Sequence, residues 1–423
     1  MISKILTSAC LCSALLIQTA FAEEAVDPET LFAEALKYRQ NGELFSSIEI
    51  FETILSNQPG LNRARLELAI SYHLTRRYQD AKEQLTKVLN DPETPDEVKL
   101  TITAYLAQIS GDIKNAAERS SSSMYISVGA LTDSNINLGP PIDVGITPEN
   151  SENSGSAGQF MFTYSHRSRA GQALHVNQSI ADFEWLTQAT AYNKAYASGN
   201  SDFNLGVLSL STGPALIVEK AWRAAFNFKL DKIYFGNQSY ASYTGVNPLF
   251  TYSIMKDLEI TFENITLARE YDQITDQGLT GTLTMWGFDV AKYYADQSIG
   301  IQAGMKYHDN GAKAGDLHST GGEIYVGGQM PAWKDARVYL TVSARDYRYK
   351  APTLSNDPND PIPPTRDETE VIAVLGLSHD FRSGALKSWT LNTQYTYTDN
   401  ESNRDEFTYD RNVLEINMRR YFF

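Results

Sequence analysis

Cysteine is almost missing from this chain: there are two in 423 residues, Cys10 and Cys12. Both fall in an N-terminal stretch that reads as a secretory signal. Lys4 precedes an apolar run from Ile5 to Ile17 and then Ala20-Phe21-Ala22, which is the positive start, short apolar core and small-residue site of a leader cut after Ala22. The mature chain then carries no thiol, which excludes disulfides and thiol chemistry. No later stretch reaches 18 consecutive apolar residues, so no transmembrane helix is expected. Positive charge is also scarce. Without Lys4, 35 basic side chains face 51 acidic ones, a net charge of −16; nothing offsets phosphate repulsion, and nucleic acid is excluded as a partner. The six histidines (His73, His166, His175, His308, His318 and His379) show no helical zinc spacing, so neither metal nor cofactor is expected. Ser378-His379-Asp380 spells a triad in a row, but consecutive strand residues point to opposite faces and cannot assemble as nucleophile, base and orienter. The acidic, proline-dense stretch Asp357–Pro361 reads as a stiff solvated loop. The chain is not expected to be an enzyme.

What the chain does have is two regions with different periods. From Asp27 to about Glu118 apolar residues recur at helical spacing, and the segment repeats itself. Ala35, Tyr38, Leu44, Phe51, Ile54 and Leu55 are matched 34 residues later by Ala69, Tyr72, Tyr78, Leu85, Val88 and Leu89. That period, with small residues at helix crossings and Pro59 and Pro92 near the unit ends, is the signature of tetratricopeptide helix pairs. A weaker third unit begins near Glu97, with Ala104, Gly111 and Ala116 at an offset of 35. Each pair buries its apolar face only against its neighbours, so the expectation is a small solenoid.

Ser120-Ser121-Ser122-Ser123 ends the helical pattern, and beyond Met124 the period is two. Trp222, Ala224, Phe226, Phe228 and Leu230 alternate with Arg223, Asn227, Lys229 and Asp231. Val338, Leu340 and Val342 alternate with Arg337, Thr341, Ser343 and Arg345, and Leu414, Ile416 and Met418 with Glu415, Asn417 and Arg419. Segments of roughly 10 to 16 residues are long for soluble strands and suit tilted membrane strands. Long polar loops are expected near 138–157, 187–201, 309–316 and 351–367, with short turns between them. The result is 14 strands, near 124–137, 158–167, 172–186, 202–219, 222–236, 241–255, 258–271, 280–294, 298–308, 317–329, 336–350, 368–381, 388–400 and 408–423. An even count closes an outer-membrane barrel and puts both of its chain ends on the periplasmic side. Trp185, Tyr234, Phe235, Tyr293, Tyr294, Tyr347, Tyr349, Trp389 and Tyr421 lie at strand ends and read as interfacial girdles. The closing Tyr421-Phe422-Phe423 resembles the signal read by the barrel assembly machinery during biogenesis.

The expected organisation is therefore a signal at 1–22, a tetratricopeptide-like periplasmic domain at 23–118, a linker at 119–123 and a 14-stranded antiparallel transmembrane β-barrel at 124–423, an α plus membrane-β class, in the outer membrane and in contact with its lipid. The junction Tyr125-Ile126-Ser127-Val128-Gly129-Ala130-Leu131-Thr132-Asp133-Ser134-Asn135-Ile136-Asn137 resembles the start of the barrel in the surface lipoprotein assembly modifier family. There a glycine-bearing first strand runs into an Asp-Ser-Asn-x-Asn segment after a helical domain. The resemblance implies translocation of a client, a surface lipoprotein or a soluble secreted protein, with the helices engaging it in the periplasm.

From the residues themselves, the candidate grip is the first helix of each repeat, where Phe32, Leu36 and Arg39 correspond to Leu66, Ile70 and His73. Apolar side chains there could hold an extended or amphipathic segment, or could pack the solenoid. Inward Arg223, Lys229, Asp231, Arg337, Arg345 and Glu415 could line a polar conduit or pair within a filled lumen. A polysaccharide export porin, which also joins such repeats to a barrel, and a general diffusion porin are the competing readings. A sugar conduit should carry many inward aromatics or a single-sign charge ring.

Overall fold

The computed structural model describes residues 27–138, 153–170, 173–197, 199–352 and 363–422. The expected signal, the acidic Asp357–Pro361 stretch and the terminal Phe423 lie outside them. The chain divides into two compact units, 1–110 and 111–423, each described by itself below.

The first unit is helical: α1 (Pro28–Gln40), α2 (Leu44–Asn57), α3 (Asn62–Leu74), α4 (Tyr78–Leu89) and α5 (Asp96–Ala117), the last running on past residue 110. Pro28 sits in the first turn of α1, where its missing N–H costs nothing. The helix starts repeat at the period read from the sequence, α3 beginning 34 residues after α1 and α4 34 after α2. So does the core: Ala35 and Ala69, Ser47 and Ala81, Phe51 and Leu85, and Ile54 and Val88 are all buried. The turn inside each pair needs a left-handed residue. Gly42 supplies it in the first (φ 86°), but in the second Arg76 holds φ 58°, a conformation costly for a side chain with a Cβ. The third unit is not a helix pair. Its span is taken by the single helix α5, and Gly111 lies inside it without making a turn.

The second unit is a barrel built from β1 (Ser120–Asp133), β2 (Gly155–Arg169), β3 (Leu174–Val176), β4 (Ser179–Tyr196), β5 (Leu205–Val218), β6 (Trp222–Phe235), β7 (Gln238–Met255), β8 (Leu258–Tyr271), β9 (Gly281–Tyr294), β10 (Ile299–Asn310), β11 (Ser319–Trp333), β12 (Ala336–Tyr349), β13 (Asp367–Asp380), β14 (Trp389–Ser402) and β15 (Tyr409–Phe422). β3 only folds a hairpin onto β4. The other fourteen pair antiparallel around a ring: β2 meets β4, and β15 meets β1, with Met124 opposite Phe422 and Asp133 opposite Val413. Closure leaves none of these fourteen as an edge strand, which is what hydrocarbon demands of a spanning sheet. β1 begins and β15 ends at one end, called here the turn end. The loop end carries the connections 134–154, 197–204, 236–237, 272–280, 311–318, 350–366 and 403–408. One of these is only two residues: Gly236 and Asn237, both left-handed, make the tight hairpin that this pair favours.

Two expectations need correction. β1 starts at Ser120, inside the span expected as a linker, because Ser120–Ser123 pair with Ser165–Ser168 of β2. The stretch 187–201 is largely strand, since β4 runs to Tyr196. Its outward positions there are Thr187, Ala189, Ala191, Asn193 and Ala195, too weakly apolar to mark a lipid face in sequence; the ladders to β2 and β5 hold it extended.

Alternation decides the two faces. Leu208, Leu210, Phe226, Phe228, Leu230, Phe262, Trp286, Ile301, Met305, Ile324, Val326, Leu340, Leu375, Leu414 and Ile416 are all exposed on the outside. A contiguous apolar surface of that extent belongs in lipid. The interleaved positions form a polar lumen.

Candidate functional site

The site with the most built-in chemistry is the lumen wall, with the β1–β15 seam at its centre. Asp133 ends β1 with a side chain fully out of solvent. It accepts two bonds from Arg411 of β15, Nη2 at 2.6 Å and Nε at 2.9 Å, and a third from the Tyr196 hydroxyl of β4 at 3.0 Å. The Asn135 N–H, 3.1 Å away, turns the chain back over the carboxylate. Ser134 and Asn412 exchange two further bonds: the Ser134 N–H donates to the Asn412 carbonyl at 3.0 Å, and the Asn412 N–H to the Ser134 hydroxyl at 2.9 Å. The Asn135 amide donates to the Asp410 carbonyl at 3.1 Å. Beneath them Leu131, Ile136, Ala157, Tyr196 and Val413 form a small buried cluster. The Asp-Ser-Asn segment is therefore a staple that locks the first strand to the last at the loop end.

Gly129 holds the same seam from inside. A Cβ there would lie 2.0 Å from Asn417 Oδ1 and 2.3 Å from the Ile416 carbonyl oxygen. The bare backbone lets Gln159 of β2 reach across β1 to Glu415 at 3.0 Å and Asn417 at 2.9 Å on β15. Tyr192 of β4 donates to Gln159 at 3.1 Å.

A belt of charges continues around the wall from β9 to β15. Lys306 faces Glu323 at 3.9 Å, and Arg345 stands 3.7 Å from Glu323 and 3.3 Å from Glu370. Tyr409 donates to Glu370 at 3.2 Å, Arg345 to the Tyr347 hydroxyl at 3.2 Å, and Tyr325 to Asp289. These partly buried, water-facing pairs fix geometry more than they add stability.

All six residues read as lumenal lie on the inward register, Arg223, Lys229 and Asp231 on β6, Arg337 and Arg345 on β12 and Glu415 on β15. Arg223 pairs with Glu259 at 3.0 Å near the turn end. Among the described residues Lys229, Asp231 and Arg337 make no ion pair, so they face lumen water.

The girdle reading splits. Trp185, Tyr234, Tyr294 and Trp389 face outward, whereas Tyr293, Tyr347, Tyr349 and Tyr421 turn into the lumen. Tyr347 lies against His308 with ring centroids 4.9 Å apart, Arg366 covers Tyr349 at 3.6 Å, and Tyr421 packs on Tyr125 at 5.3 Å. Phe235 packs on Phe203 and Tyr240 at the loop end. The signal was present in the sequence: Tyr347 and Tyr349 share the parity of Arg345, and Tyr421 that of Glu415.

On the helical unit Phe32 is a core residue, which corrects its reading as a contact for a client. It is 4% exposed, edge-on to Phe51 at 5.5 Å and covered by the Arg63 guanidinium at 4.2 Å. Leu36, Leu66 and Ile70 are half-buried. Arg39 bonds the Glu67 carboxylate at 2.5 Å and the Glu67 carbonyl at 3.2 Å, and His73 meets the Tyr105 hydroxyl at 2.7 Å. Both polar members of the candidate grip thus join neighbouring helices. Ser378, His379 and Asp380 do not assemble: His379 lies against Phe381 at 4.9 Å, while Asp380 accepts from Thr390 at 2.7 Å. His318 pairs with Asp309 at 2.8 Å. Among the described residues no group of three His, Cys, Asp or Glu side chains is placed to hold a metal.

No family model matches the chain. Over 122 residues it is 30% identical to a protein of Pasteurella multocida (strain Pm70). That relative is a surface lipoprotein assembly modifier. The match covers 29% of this chain and 22% of the relative, so the chain spans about a fifth of the protein it resembles. Among solved structures it is similar to OprD of Pseudomonas aeruginosa (9% identity, TM-score 0.35, 72% of this chain and 95% of that one). OccAB3 of Acinetobacter baumannii gives 6% identity and a TM-score of 0.37, covering 72% and 99%. A FadL homologue of Pseudomonas aeruginosa gives 10% and 0.36, covering 72% and 90%. A closed antiparallel barrel of fourteen strands with an apolar outer belt is an outer-membrane barrel, and similarity to a surface lipoprotein assembly modifier agrees with that.

Proposed function

We propose that this outer-membrane protein moves or displays a client protein, a surface lipoprotein or a soluble secreted protein, at the cell surface without catalysing a covalent reaction. The observation that carries the reading is the match to a surface lipoprotein assembly modifier in a chain that joins 34-residue helix pairs to a stapled barrel. In this reading the turn end faces the periplasm, because short connections there and long ones outside are the habit of such barrels. The helical unit then meets the client in the periplasm, along the half-buried Leu36, Leu66 and Ile70. The lumen offers a hydrated wall of mixed sign, on which a polypeptide of either charge finds partners without being held by a single strong field.

A polysaccharide conduit keeps one specific observation in its favour, the inward tyrosines. Several spend their hydroxyls on wall residues, as Tyr339 does on Gln394 at 2.9 Å and Tyr409 on Glu370, which leaves them as lining rather than as a stacking track. The deciding experiment co-expresses the protein with a small secreted protein or lipoprotein encoded beside it and measures that neighbour's access to external protease. Exposure that depends on this protein supports the proposal. Exposure unchanged by deletion, together with loss of surface glycan, would give the conduit reading the field.

A further inference from the structure

One arc of the barrel breaks in mid-strand a rule that is otherwise broken only at Pro331, at the turn-end margin of β11. Proline in a sheet is normally confined to edges, because it donates nothing to the ladder, and a closed barrel has no edges. Yet Pro214 lies within β5 and Pro248 within β7. Around them the ladders skip. β5 and β6 pair at Thr212–Phe228 and next at Ala215–Ala225; β7 and β8 pair at Val246–Thr266 and next at Leu249–Glu263.

Side-chain amides replace part of what is missing. Asn247 donates across the β7–β8 break to the Asn264 carbonyl at 2.9 Å and to Glu263 at 3.0 Å, while Asn264 braces β8 on the unbroken β9 side through the Met285 carbonyl at 3.0 Å. On the outside, over this break, lies a groove of about 590 Å³. Pro214, Ala224 and Pro248 line its floor, and Phe226, Phe262 and Trp286 rise from it, exposed by 40, 52 and 60%. Most of it lies in the half of the wall nearer the turn end: Phe226 and Phe262 each lie four residues from their strand's turn-end residue, while Trp286 stands near mid-height.

We propose that this groove is the seat of one phospholipid acyl chain from the leaflet on the turn side. The groove is continuous with the apolar belt that already faces lipid, so hydrocarbon is the medium against it, and its surface is almost wholly apolar. A void too narrow to be repacked forfeits dispersion contacts along its lining, and a flexible methylene chain fills it where a second rigid surface would bridge it. The resident chain also keeps water from the two breaks, where ladder pairs are missing. The site is independent of the client reading.

The test reconstitutes the full chain in phospholipid bilayers containing a trace of phospholipid with a diazirine in its acyl chain, followed by photolysis and mass-spectrometric mapping of adducts. Adducts on Phe226, Phe262 and Trp286 should exceed those on Leu391 and Tyr395 of the regular strand β14 by about five-fold, the selectivity of a weak site. Ala224→Trp, which fills the groove, should bring the arc down to the β14 level and leave β14 unchanged. Phe262→Ala, which removes one side without adding bulk, should lower it partway. Even labelling around the barrel means ordinary annular lipid and overturns the proposal, as does an excess indifferent to Ala224→Trp. Labelling below the β14 level together with a dimer mass in native mass spectrometry of the reconstituted protein would mean that a second copy covers the arc, which overturns it too.

Discussion

Replacing Asp133 with alanine should loosen the barrel at its seam, and the size of the loss can be worked from the contacts. The substitution strands the Arg411 guanidinium and leaves the Tyr196 hydroxyl and the Asn135 N–H without their acceptor. Breaking a buried ion pair costs about 3–5 kcal/mol. Arg411 keeps 28% exposure, so lumen water recovers part of that, while each orphaned donor adds about 1 kcal/mol. A net loss of about 3 kcal/mol follows, more than a hundredfold in the folding equilibrium. Arg411→Ala should cost at least as much, because it abandons a carboxylate with no exposure at all. Asp133→Asn keeps an oxygen for the Asn135 N–H and should cost about half as much, since only the charge-assisted share is lost. The double variant should cost about 2 kcal/mol less than the sum of the two alanines, the coupling of groups in direct contact. Denaturant unfolding in detergent micelles, followed by tryptophan fluorescence and by heat-modifiable gel mobility, reads all four. Additive single and double effects, or an Asp133→Ala barrel as stable as the parent, would refute the staple.

Gly129→Ala should weaken the same seam through sterics, by about 2 kcal/mol or more, because its Cβ would meet the backbone carbonyl of Ile416; the same gel assay shows whether the barrel still closes. Phe32→Ala should cost the helical unit about 3–5 kcal/mol as a core cavity, whereas Leu36→Ala, half-buried, should cost less; helical ellipticity against denaturant separates a packing residue from a contact surface. Acid should destabilise the helical unit through Asp91. The Asn62 amide at 2.6 Å and the Glu93 N–H hold that carboxyl below its ordinary range, so its contribution is complete above about pH 4 and fades as pH falls through the lower folded value. Asn62→Leu should remove part of this acid sensitivity in a helical melting curve taken between pH 5 and 2.

How much of this was legible beforehand differs from element to element. The 34-residue offset predicted which positions would be buried, because a repeat must meet its neighbours with the same side chains each time. It could not tell that the third unit would be one helix, since Gly111 permits a turn without imposing one. Period-two alternation located fourteen strands and assigned Arg337, Arg345 and Glu415 to the inner face. It failed at 187–196, where alanines, a threonine and an asparagine stand in place of the apolar residues that alternation needs. It was also overruled for Tyr293, Tyr347, Tyr349 and Tyr421, which were placed by residue type, as interfacial aromatics, although their parity already pointed inward.

The sequence by itself determined the class of the protein: helical period, then strand period, then an even number of spans long enough for a bilayer. These are local properties, carried by neighbours a few residues apart. Tertiary structure alone decided what joins the ring, because Asp133 and Arg411 are 278 positions apart and meet only when the first strand finds the last. It also decided where the ring is interrupted, since the prolines of β5 and β7 mark a gap only once the strands beside them are known.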